Sequence, residues 1–285
     1  MADLKNTVIS DVGAITLPKG TSAQRPTFPP EGAMRYNTDL GYVECYYKGF
    51  WFDLTTGRGL PKGGRDRYIE LDASMSASTN GTTSQRWLNQ GYQSGRDFDW
   101  YGSPSYTADG YKSYWRFPVG SHATCENTCN DLEYNTVECV FRRYTNSGNI
   151  VYNKESTWEV QTSSNTFQWA WQTTDRSWFW SSTGAITNDF YHSVVTYDGN
   201  RVRAYINGRL RQEDTGNYEN GKLRQDHATY PKLNARGNAR SANDSAGNHD
   251  VAYFAVYNRP LDDMEQHHNF QAHAERFDLP YNPYN

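Results

Sequence analysis

The chain has 285 residues, a formal net charge of −4, 36% hydrophobic residues and 21% charged residues. A chain of this length and composition can bury a core, and it suits one large globular domain with a smaller one. The slightly acidic balance provides no positive field for phosphate groups, so we predict no nucleic-acid binding. The 22 Tyr, 9 Trp and 12 Phe favour β-sheets over helices.

The hydropathy of the chain bears on its location. No segment approaches the roughly 20 consecutive apolar residues that are needed to span a bilayer. The first residues, Met1 to Asn6, lack the apolar core of a secretion signal. We therefore predict no membrane insertion, and folding in a cytoplasm where thiols stay reduced.

The N-terminal residues are predicted to form a separate unit. Residues 1–16 are mostly polar with a few aliphatic side chains, which suits an anchor segment that lies along another protein. Residues 17–54 are predicted to form a β-hairpin module with a Pro-rich entry and strands at 34–36, 43–47 and 50–52. So small a module cannot bury its aromatic residues alone, and we expect it to need partners. The residues predicted at this contact are Tyr36, Tyr46, Phe50 and Trp51.

The larger predicted unit covers residues 66–277. A Gly-rich, charged linker at 55–65 precedes it, and an extended tail at 278–285 follows it. The most regular segment, Phe190–Leu210, alternates apolar and polar residues around an Asp-Gly turn and then an Asn-Gly turn, which predicts a half-buried antiparallel hairpin. A helix is predicted over Leu261–Glu275, because acidic residues stand at its start.

The four cysteines are Cys45, Cys125, Cys129 and Cys139, too few for a disulfide framework. Together with His122, the last three form an H-x2-C-x3-C-x9-C series that could be interpreted as a zinc site. Cys139 falls in a predicted strand, however, where it fits as a small buried hydrophobic residue. We predict that Cys125 and Cys129 lie in a loop and that the series holds no metal.

Three segments of the larger unit carry a family signature. Phe190–Leu210 is similar to the motif W-H-H-V-A-x-T-Y-D-G…Y-V-N-G, and Asp250–Phe270 is similar to D-x-x-x-x-Y-N-R-x-L-S-x-x-E-I. Arg86–Phe117 is similar to the W-x-N-x-G…G-x-P-x-Y…F opening of virion-borne relatives. All three, in this order, resemble concanavalin A-like (laminin-G-like) jelly rolls. The resemblance implies an all-β fold, an antiparallel jelly-roll β-sandwich closed by one short helix.

The smaller unit carries a denser signature, R-P-x-x-P-x-x-G-x-x-R-Y-N-T…G-x-x-E-x-Y-x-x-G-x-W. The matching residues are Arg25, Pro26, Pro29, Gly32, Arg35, Tyr36, Asn37, Thr38, Gly41, Glu44, Tyr46, Gly49 and Trp51. The segment resembles a module of tailed-phage fibres and, more loosely, the trimeric foldon of phage whisker proteins. The resemblance implies a homotrimer in a virion. The alternative is a monomeric hairpin packed on its own sandwich.

Catalysis is not expected. Glycosidases with this type of sandwich place their acids as E-x-D-x-x-E on one strand face, and no such triplet occurs in the chain. Glu70 and Asp72 lack a third member, and Glu133 and Glu138 fall on opposite strand faces, so we interpret all four as solvated. The seven histidines form no Ser/His/Asp pattern. We predict that the chain is not an enzyme.

Binding is the better interpretation, because exposed aromatic rings stack on sugars. Between residues 156 and 182, Phe167, Trp169 and Trp171 share one strand face that we assign to the core. The predicted carbohydrate-binding residues are Trp178, Trp180, Tyr101 and Tyr106, although the same rings could form subunit contacts.

No cofactor is expected. Several relatives hold calcium with loop carboxylates, and the loop acids here are Asp189, Asp198, Asp244 and Asp250. Asp198 is explained as the first residue of its turn and Asp250 as a structural acid, so calcium stays a secondary alternative.

Together these features predict a tailed-phage virion protein that is made in the host cytoplasm. It would be a homotrimeric fibre or spike subunit, attached to other virion proteins through residues 1–16 and displaying a lectin-like jelly roll to host-surface glycans. One alternative is a capsid or tail decoration (cement) protein that binds no glycan. The second is a polysaccharide hydrolase with an unrecognised carboxylate pair.

Overall fold

The computed structural model divides into two compact units, Met1–Leu60 and Pro61–Asn285, each defined by the contacts within it. The boundary falls inside the linker predicted at 55–65. The residues that the structure describes are 16–38, 42–47, 50–53, 67–75, 86–109, 112–144, 149–215, 221–225, 228–244 and 247–280. The predicted anchor, except for Thr16, the predicted linker and the last five residues of the predicted tail therefore lie outside the described residues.

The N-terminal unit is a small sheet with strands in the order β1 to β4. These strands are β1 Lys19–Gly20, β2 Met34–Asn37, β3 Tyr42–Tyr47 and β4 Phe50–Asp53. The strand β1 runs parallel to β2, and the other pairs are antiparallel. The three strands predicted from the sequence are thus confirmed.

Polar residues, rather than apolar ones, occupy the inner side of strand β2. Arg35 and Asn37 are buried, whereas Met34 and Tyr36 are 45% and 39% exposed. The inner side is organised by Glu44, which is fully buried and accepts hydrogen bonds from Arg25 and Asn37 while Arg35 lies 3.4 Å away. A buried carboxylate needs such partners, so the apolar residues of β2 face outward.

Strands are the main secondary structure in the described residues of the larger unit. Its strands are β5 Arg67–Asp72, β6 Arg86–Trp87, β7 Phe98–Tyr101, β8 Ser105–Thr107, β9 Tyr114–Phe117, β10 His122–Cys125, β11 Asn135–Arg143, β12 Asn149–Lys154, β13 Trp158–Ser163, β14 Thr166–Thr173, β15 Arg176–Ala185, β16 Phe190–Tyr197, β17 Val202–Ile206, β18 Arg209–Asp214, β19 Pro231–Leu233 and β20 His249–Tyr257. One helix, α1 Asp263–Phe277, follows β20.

The strands form two antiparallel sheets. The front sheet has the order β15-β14-β13-β12-β19-β10-β7-β6, and the back sheet has the order β18-β17-β16-β11-β20-β9-β8, with β5 also paired to β20. Rings from both sheets meet in one core; for example, Phe254 of the back sheet lies 5.8 Å from Phe98 and 5.7 Å from Tyr152. The predicted antiparallel jelly-roll sandwich is confirmed.

Helix α1 covers the outer face of the back sheet. It begins with a reciprocal capping box between Asp262 and Glu265, and its Phe270 and Phe277 pack in a second core with Val140 and Tyr253. The helix predicted from the sequence is confirmed, with both ends two residues later. In the described part of the chain, no helix is long and apolar enough to cross a membrane.

The covering helix explains two corrections to the sequence interpretation. The hairpin of β16 and β17 was predicted to be half-buried, but residues of both faces, such as Val194 and Val195, are fully buried. The carboxyl groups of Asp72 and Glu138 were predicted to be solvated, and both are buried under α1, where Arg276 donates two hydrogen bonds to Asp72. The alternation of residues in these strands contains no sign that a helix covers their outer face.

The cysteines are free thiols, as predicted. Cys139 is fully buried in β11, which confirms its core assignment. The loop predicted for Cys125 is wrong, because this residue ends β10 with its side chain in the core, and its Sγ lies 3.9 Å from Sγ of Cys129. Cys129 follows in a turn and is also buried.

Candidate functional site

Two tryptophans stand on the outer face of the front sheet, at its edge. The register of β14 and β15 pairs Trp171 with Phe179 and Ala170 with Trp180. Because alternate residues of a strand point to opposite faces, Trp171 and Phe179 point into the core, and Trp178 and Trp180 point outward. Trp171 is fully buried and Trp180 is 42% exposed, so the predicted division of these rings is confirmed.

The two outward rings are neighbours on the strand. The ring centroids of Trp178 and Trp180 are 6.3 Å apart, and their planes differ by only 27°. The spacing follows from the strand, in which residues two apart are roughly 6.6 Å apart along the chain. The pair therefore presents two neighbouring, nearly parallel indole rings on the outer face of the sheet.

Neutral polar side chains lie beside Trp180. Gln161 of β13 donates to Gln168 of β14, which pairs in register with Ser182 of β15. With Trp180 these residues line a depression of about 410 Å³. We call Trp178, Trp180, Gln161, Gln168 and Ser182 the tryptophan surface. Amide groups both donate and accept hydrogen bonds, so this surface combines apolar contact with hydrogen bonding to neutral groups.

A second, larger depression lies at the turn between β14 and β15. It measures about 600 Å³, and its lining residues are Gln172, Thr173, Thr174, Asp175, Ser177, Arg224 and Gln225. Both depressions border the strand that carries the two tryptophans.

A carboxyl group with a raised pKa lies two residues from Gln161 on the same strand. Glu159 is buried, and its Oε2 accepts a hydrogen bond of 2.7 Å from Asn153. The guanidinium of Arg236 is 3.6 Å from Oε1. Burial raises the pKa of Glu159 to about 7, against the lowering effect of Arg236. This carboxyl group therefore changes its charge near neutral pH.

The two tyrosines predicted at the sugar site lie elsewhere. Tyr101 is on the outer face of the front sheet, stacked on His122 at 4.7 Å, but its strand β7 is six strand spacings from β15. At about 4.8 Å per spacing, this separates Tyr101 from Trp180 by roughly 29 Å. Tyr106 lies in the back sheet, half-buried against Trp115, and donates to the carbonyl of Ala73. Trp178 and Trp180 thus come together without either tyrosine.

The residues predicted at a subunit contact lie on both faces of the N-terminal sheet. The register places Tyr46 beside Trp51, with ring centroids 5.4 Å apart, on the same face as Arg35 and Glu44. Tyr36 faces the opposite, exposed side with Met34. The side chain of Phe50 lies outside the described residues.

The loop acids considered for calcium have partners within the protein. Asp198 accepts hydrogen bonds from the backbone of Asn200 and from Arg201, as expected for its turn. Asp250 is fully buried and is held by Arg116 and Arg142. Asp189 accepts from the hydroxyl of Thr187. Asp244 lies in the isolated β-bridge with Arg236.

One cluster of metal-ligand side chains was missed by the sequence interpretation. Glu138, His192 and His273, from β11, β16 and α1, bring one ligand atom each to within 4.8 Å of the others. They are separated by 54 and 81 positions in the chain, so spacing gives no sign of the cluster. The helix residues Asn269 and His273 lie one turn apart on the face that carries Phe270. Two polar residues on an otherwise apolar helix face were the only sequence feature that could have indicated a buried polar cluster.

The comparisons with known proteins agree with this architecture. The sequence profile described as the concanavalin A-like lectin/glucanases superfamily matches residues 120–265, just over half of the chain. A search of curated proteins finds no match.

Among solved structures, the chain is similar to binding domains of botulinum neurotoxins. The receptor-binding domain of the C/D mosaic serotype has 12% identity and a TM-score of 0.53 over 72% of this chain and 51% of that one. The binding domain of neurotoxin DC in complex with rat synaptotagmin II has 11% identity and a TM-score of 0.54, over 73% of this chain and 51% of that one. The serotype D binding domain has 13% identity and a TM-score of 0.52, over 72% of this chain and 51% of that one. The chain spans about half the length of these structures, and at such identities the likeness shows the fold alone.

Proposed function

Because the chain belongs to the concanavalin A-like lectin/glucanases superfamily, we propose that its larger unit is a lectin-like domain that binds host-surface carbohydrate at the tryptophan surface. The observation that carries the proposal is the pair of outward, nearly parallel rings of Trp178 and Trp180, with Gln161 and Gln168 beside Trp180. Indole rings stack on the apolar faces of sugars, and amides pair with hydroxyl groups.

Two further points support binding rather than catalysis. Solved structures with this fold are named as receptor-binding domains, which fits a non-enzymatic role for this chain. The carboxyl group beside the tryptophan surface, that of Glu159, is buried under Arg236 and bonded to Asn153, so it is not presented to a ligand on the open face.

A sugar-binding measurement tests this proposal. The chain is applied to arrayed bacterial envelope polysaccharides, and Trp180→Ala and Trp178→Ala are compared with Met264→Ala, which removes a 69% exposed apolar side chain from α1. We expect each tryptophan variant to lose at least about tenfold in affinity, about 1.4 kcal/mol, with Met264→Ala unchanged. Equal binding by all four proteins would contradict the assignment of the site.

The N-terminal unit, in this proposal, joins three copies of the chain into a phage fibre or spike. Residues 1–16 attach the trimer to other virion proteins, and the jelly rolls face the host. The support is the outward position of Met34 and Tyr36 on β2, opposite the buried carboxylate of Glu44. An exposed apolar strand face is a surface that association covers.

The mass in solution tests the trimer. The full chain should have a mass of about 98 kDa, three times the 32.7 kDa of one chain, and Tyr36→Lys should reduce it to the mass of a monomer. Ser105→Lys, at an exposed position of β8 in the larger unit, is the control. A monomeric wild-type chain would contradict the fibre assignment, and a trimer without sugar binding would favour a decoration protein.

A further inference from the structure

We propose that Glu138, His192 and His273 form a binding site for a divalent transition-metal ion, of which Zn²⁺ is the best fit. The site lies between the back sheet and helix α1, on the face of the sandwich opposite to the tryptophan surface. It is independent of sugar binding and concerns how the helix is held.

The donor set is the first argument. One carboxylate oxygen and two imidazole nitrogens are a ligand combination typical of zinc. His192 Nε2 is 2.8 Å and His273 Nε2 is 3.4 Å from the same atom, Oε1 of Glu138. Ligands that surround zinc tetrahedrally at 2.0–2.2 Å are roughly 3.3 Å apart. The contact to His273 has this spacing, and the contact to His192 needs to widen by about 0.5 Å.

The second oxygen of Glu138 is fixed separately. Oε2 accepts hydrogen bonds from the hydroxyl of Tyr257 at 2.6 Å and from the side-chain amide of Asn269 at 2.9 Å. Metal-bound carboxylates are oriented by such outer hydrogen bonds. This arrangement leaves Oε1 as the atom that faces both imidazoles.

The imidazole nitrogens are the third argument. The side chains of His192 and His273 are 0% and 1% exposed. Nδ1 of each ring is buried without a hydrogen-bond partner, and Nε2 of His273 has a long contact of 3.4 Å to Oε1 of Glu138. A metal ion between these atoms would give Nε2 of His273 a direct bond in place of that long contact.

Metal binding sets the protonation of the site. A neutral imidazole that binds through Nε2 carries its proton on Nδ1. The hydrogen bond between His192 Nε2 and Glu138 is therefore replaced by bonds from both atoms to the metal. With Glu138 ionised, these three ligands leave one tetrahedral position for a water molecule.

The ion would join three elements that are distant in the chain, namely β11, β16 and α1. Ligand binding to the folded state alone stabilises it in proportion to the logarithm of free ligand over Kd. The site would thus fasten α1 to the sheet more tightly than the apolar contacts of Phe270 and Phe277 do alone.

Titration of the full chain with metal tests the site. The untagged protein is treated with EDTA, dialysed, and titrated with ZnCl₂ by calorimetry, and its melting temperature is recorded with and without Zn²⁺. We expect one Zn²⁺ per chain and a higher melting temperature with metal. His273→Gln should weaken binding by at least about 100-fold, more than is typical for loss of an outer hydrogen-bond partner. The matched control, His268→Gln on the same helix, should bind as wild type.

A folding defect in His273→Gln would not leave the question open, because Co²⁺ substituted into the wild-type chain reports the ligands directly. Visible absorption bands of tetrahedral Co²⁺, one equivalent per chain, would support the site. Absence of stoichiometric binding at micromolar metal, or equal binding by His273→Gln, would overturn it.

Discussion

The two sheets of the sandwich place a buried glutamate on their outer faces, and the two glutamates have different surroundings. On the back sheet, helix α1 covers Glu138, whose polar neighbours are Asn269 and His273 of α1, Tyr257 of β20 and His192 of β16. On the front sheet, Glu159 has one hydrogen bond from Asn153 and the guanidinium of Arg236 at 3.6 Å. The same residue type on the same kind of strand position is therefore fixed in one case and titratable near neutral pH in the other.

The difference shows what a covering helix does to a sheet. A helix brings side chains at every turn to the outer face, so a strand carboxylate there acquires several polar partners. The front sheet lacks such a cover at its β15 edge in the described residues, where Trp178 and Trp180 stay exposed in part. One face thus suits internal polar contacts, and the other suits a ligand.

Removing the carboxylate of Glu138 should have the largest effect on stability. Glu138→Ala leaves the hydroxyl of Tyr257 and the amide of Asn269 buried without their acceptor, and we expect a loss of about 3–5 kcal/mol. Urea unfolding with EDTA present measures this without a metal contribution. The comparison variant is Glu133→Ala, whose carboxylate is 53% exposed and pairs with Lys222; it should lose under about 1 kcal/mol. If both variants lose the same free energy of unfolding, the hydrogen bonds of Tyr257 and Asn269 to Glu138 contribute nothing to stability.

Neutralising Glu159 should give a pH-dependent effect. The pKa of Glu159 is raised in the folded state from its ordinary value of 4.5 to about 7. Below pH 4.5 the carboxyl group is protonated in the folded and unfolded states, so it does not lower the free energy of unfolding. As pH rises to 7, ionisation is easier in the unfolded state, and the free energy of unfolding falls. At 1.36 kcal/mol per pKa unit, Glu159→Gln should become more stable than wild type by up to about 3 kcal/mol above pH 7.

The measurement is urea unfolding of both proteins at pH 4, 5, 6, 7 and 8. Glu133→Gln, at an exposed position, is the control variant and is measured under the same conditions. A constant difference between wild type and Glu159→Gln would mean that the pKa of Glu159 is ordinary and that the front-sheet carboxyl group is as fixed as that of Glu138.

Local signals in the sequence predicted much of the fold. Alternation around the Asp198-Gly199 turn predicted β16 and β17, and the second predicted turn, Asn207-Gly208, follows β17. Asn207 there has the positive φ of 49° that such turns require. The same alternation separated Trp171 from Trp180 correctly. It failed for Glu138 and Asp72, because their partners stand up to 204 positions away on α1 and nothing local shows which sheet face the helix covers.

The proposed binding surface could be predicted only in part, for a similar reason. Trp178 and Trp180 are two residues apart on one strand, so period-2 geometry alone places them together. Tyr101 and Tyr106 were chosen as loop aromatics, but β7 and β8 belong to different sheets. Which strands become neighbours depends on contacts distant in sequence, and these two tyrosines gave no local sign of them.

Weakening the start of the helix should have an intermediate effect. Asp262→Ala removes the side-chain acceptor of the Glu265 backbone N–H, which typically costs about 1 kcal/mol. Hydrogen exchange should quicken in α1 while the amides of β14 stay protected. Asp175→Ala, in an exposed turn of the front sheet, is the control. Faster exchange in both sheets would mean that α1 and the sandwich unfold as one unit.

The smallest effect on stability is expected at the tryptophan surface. Trp180 is 42% exposed at a sheet edge, and truncation of a partly exposed side chain removes few buried contacts, so Trp180→Ala should change the free energy of unfolding by under about 1 kcal/mol. Guanidinium unfolding, with Met264→Ala beside it, checks this. A loss as large as that of Glu138→Ala would assign Trp180 to the fold, and a sugar-binding defect in that variant would then reflect unfolding. A small loss together with lost binding would assign the ring to the ligand, which is the role that its outward position on β15 supports.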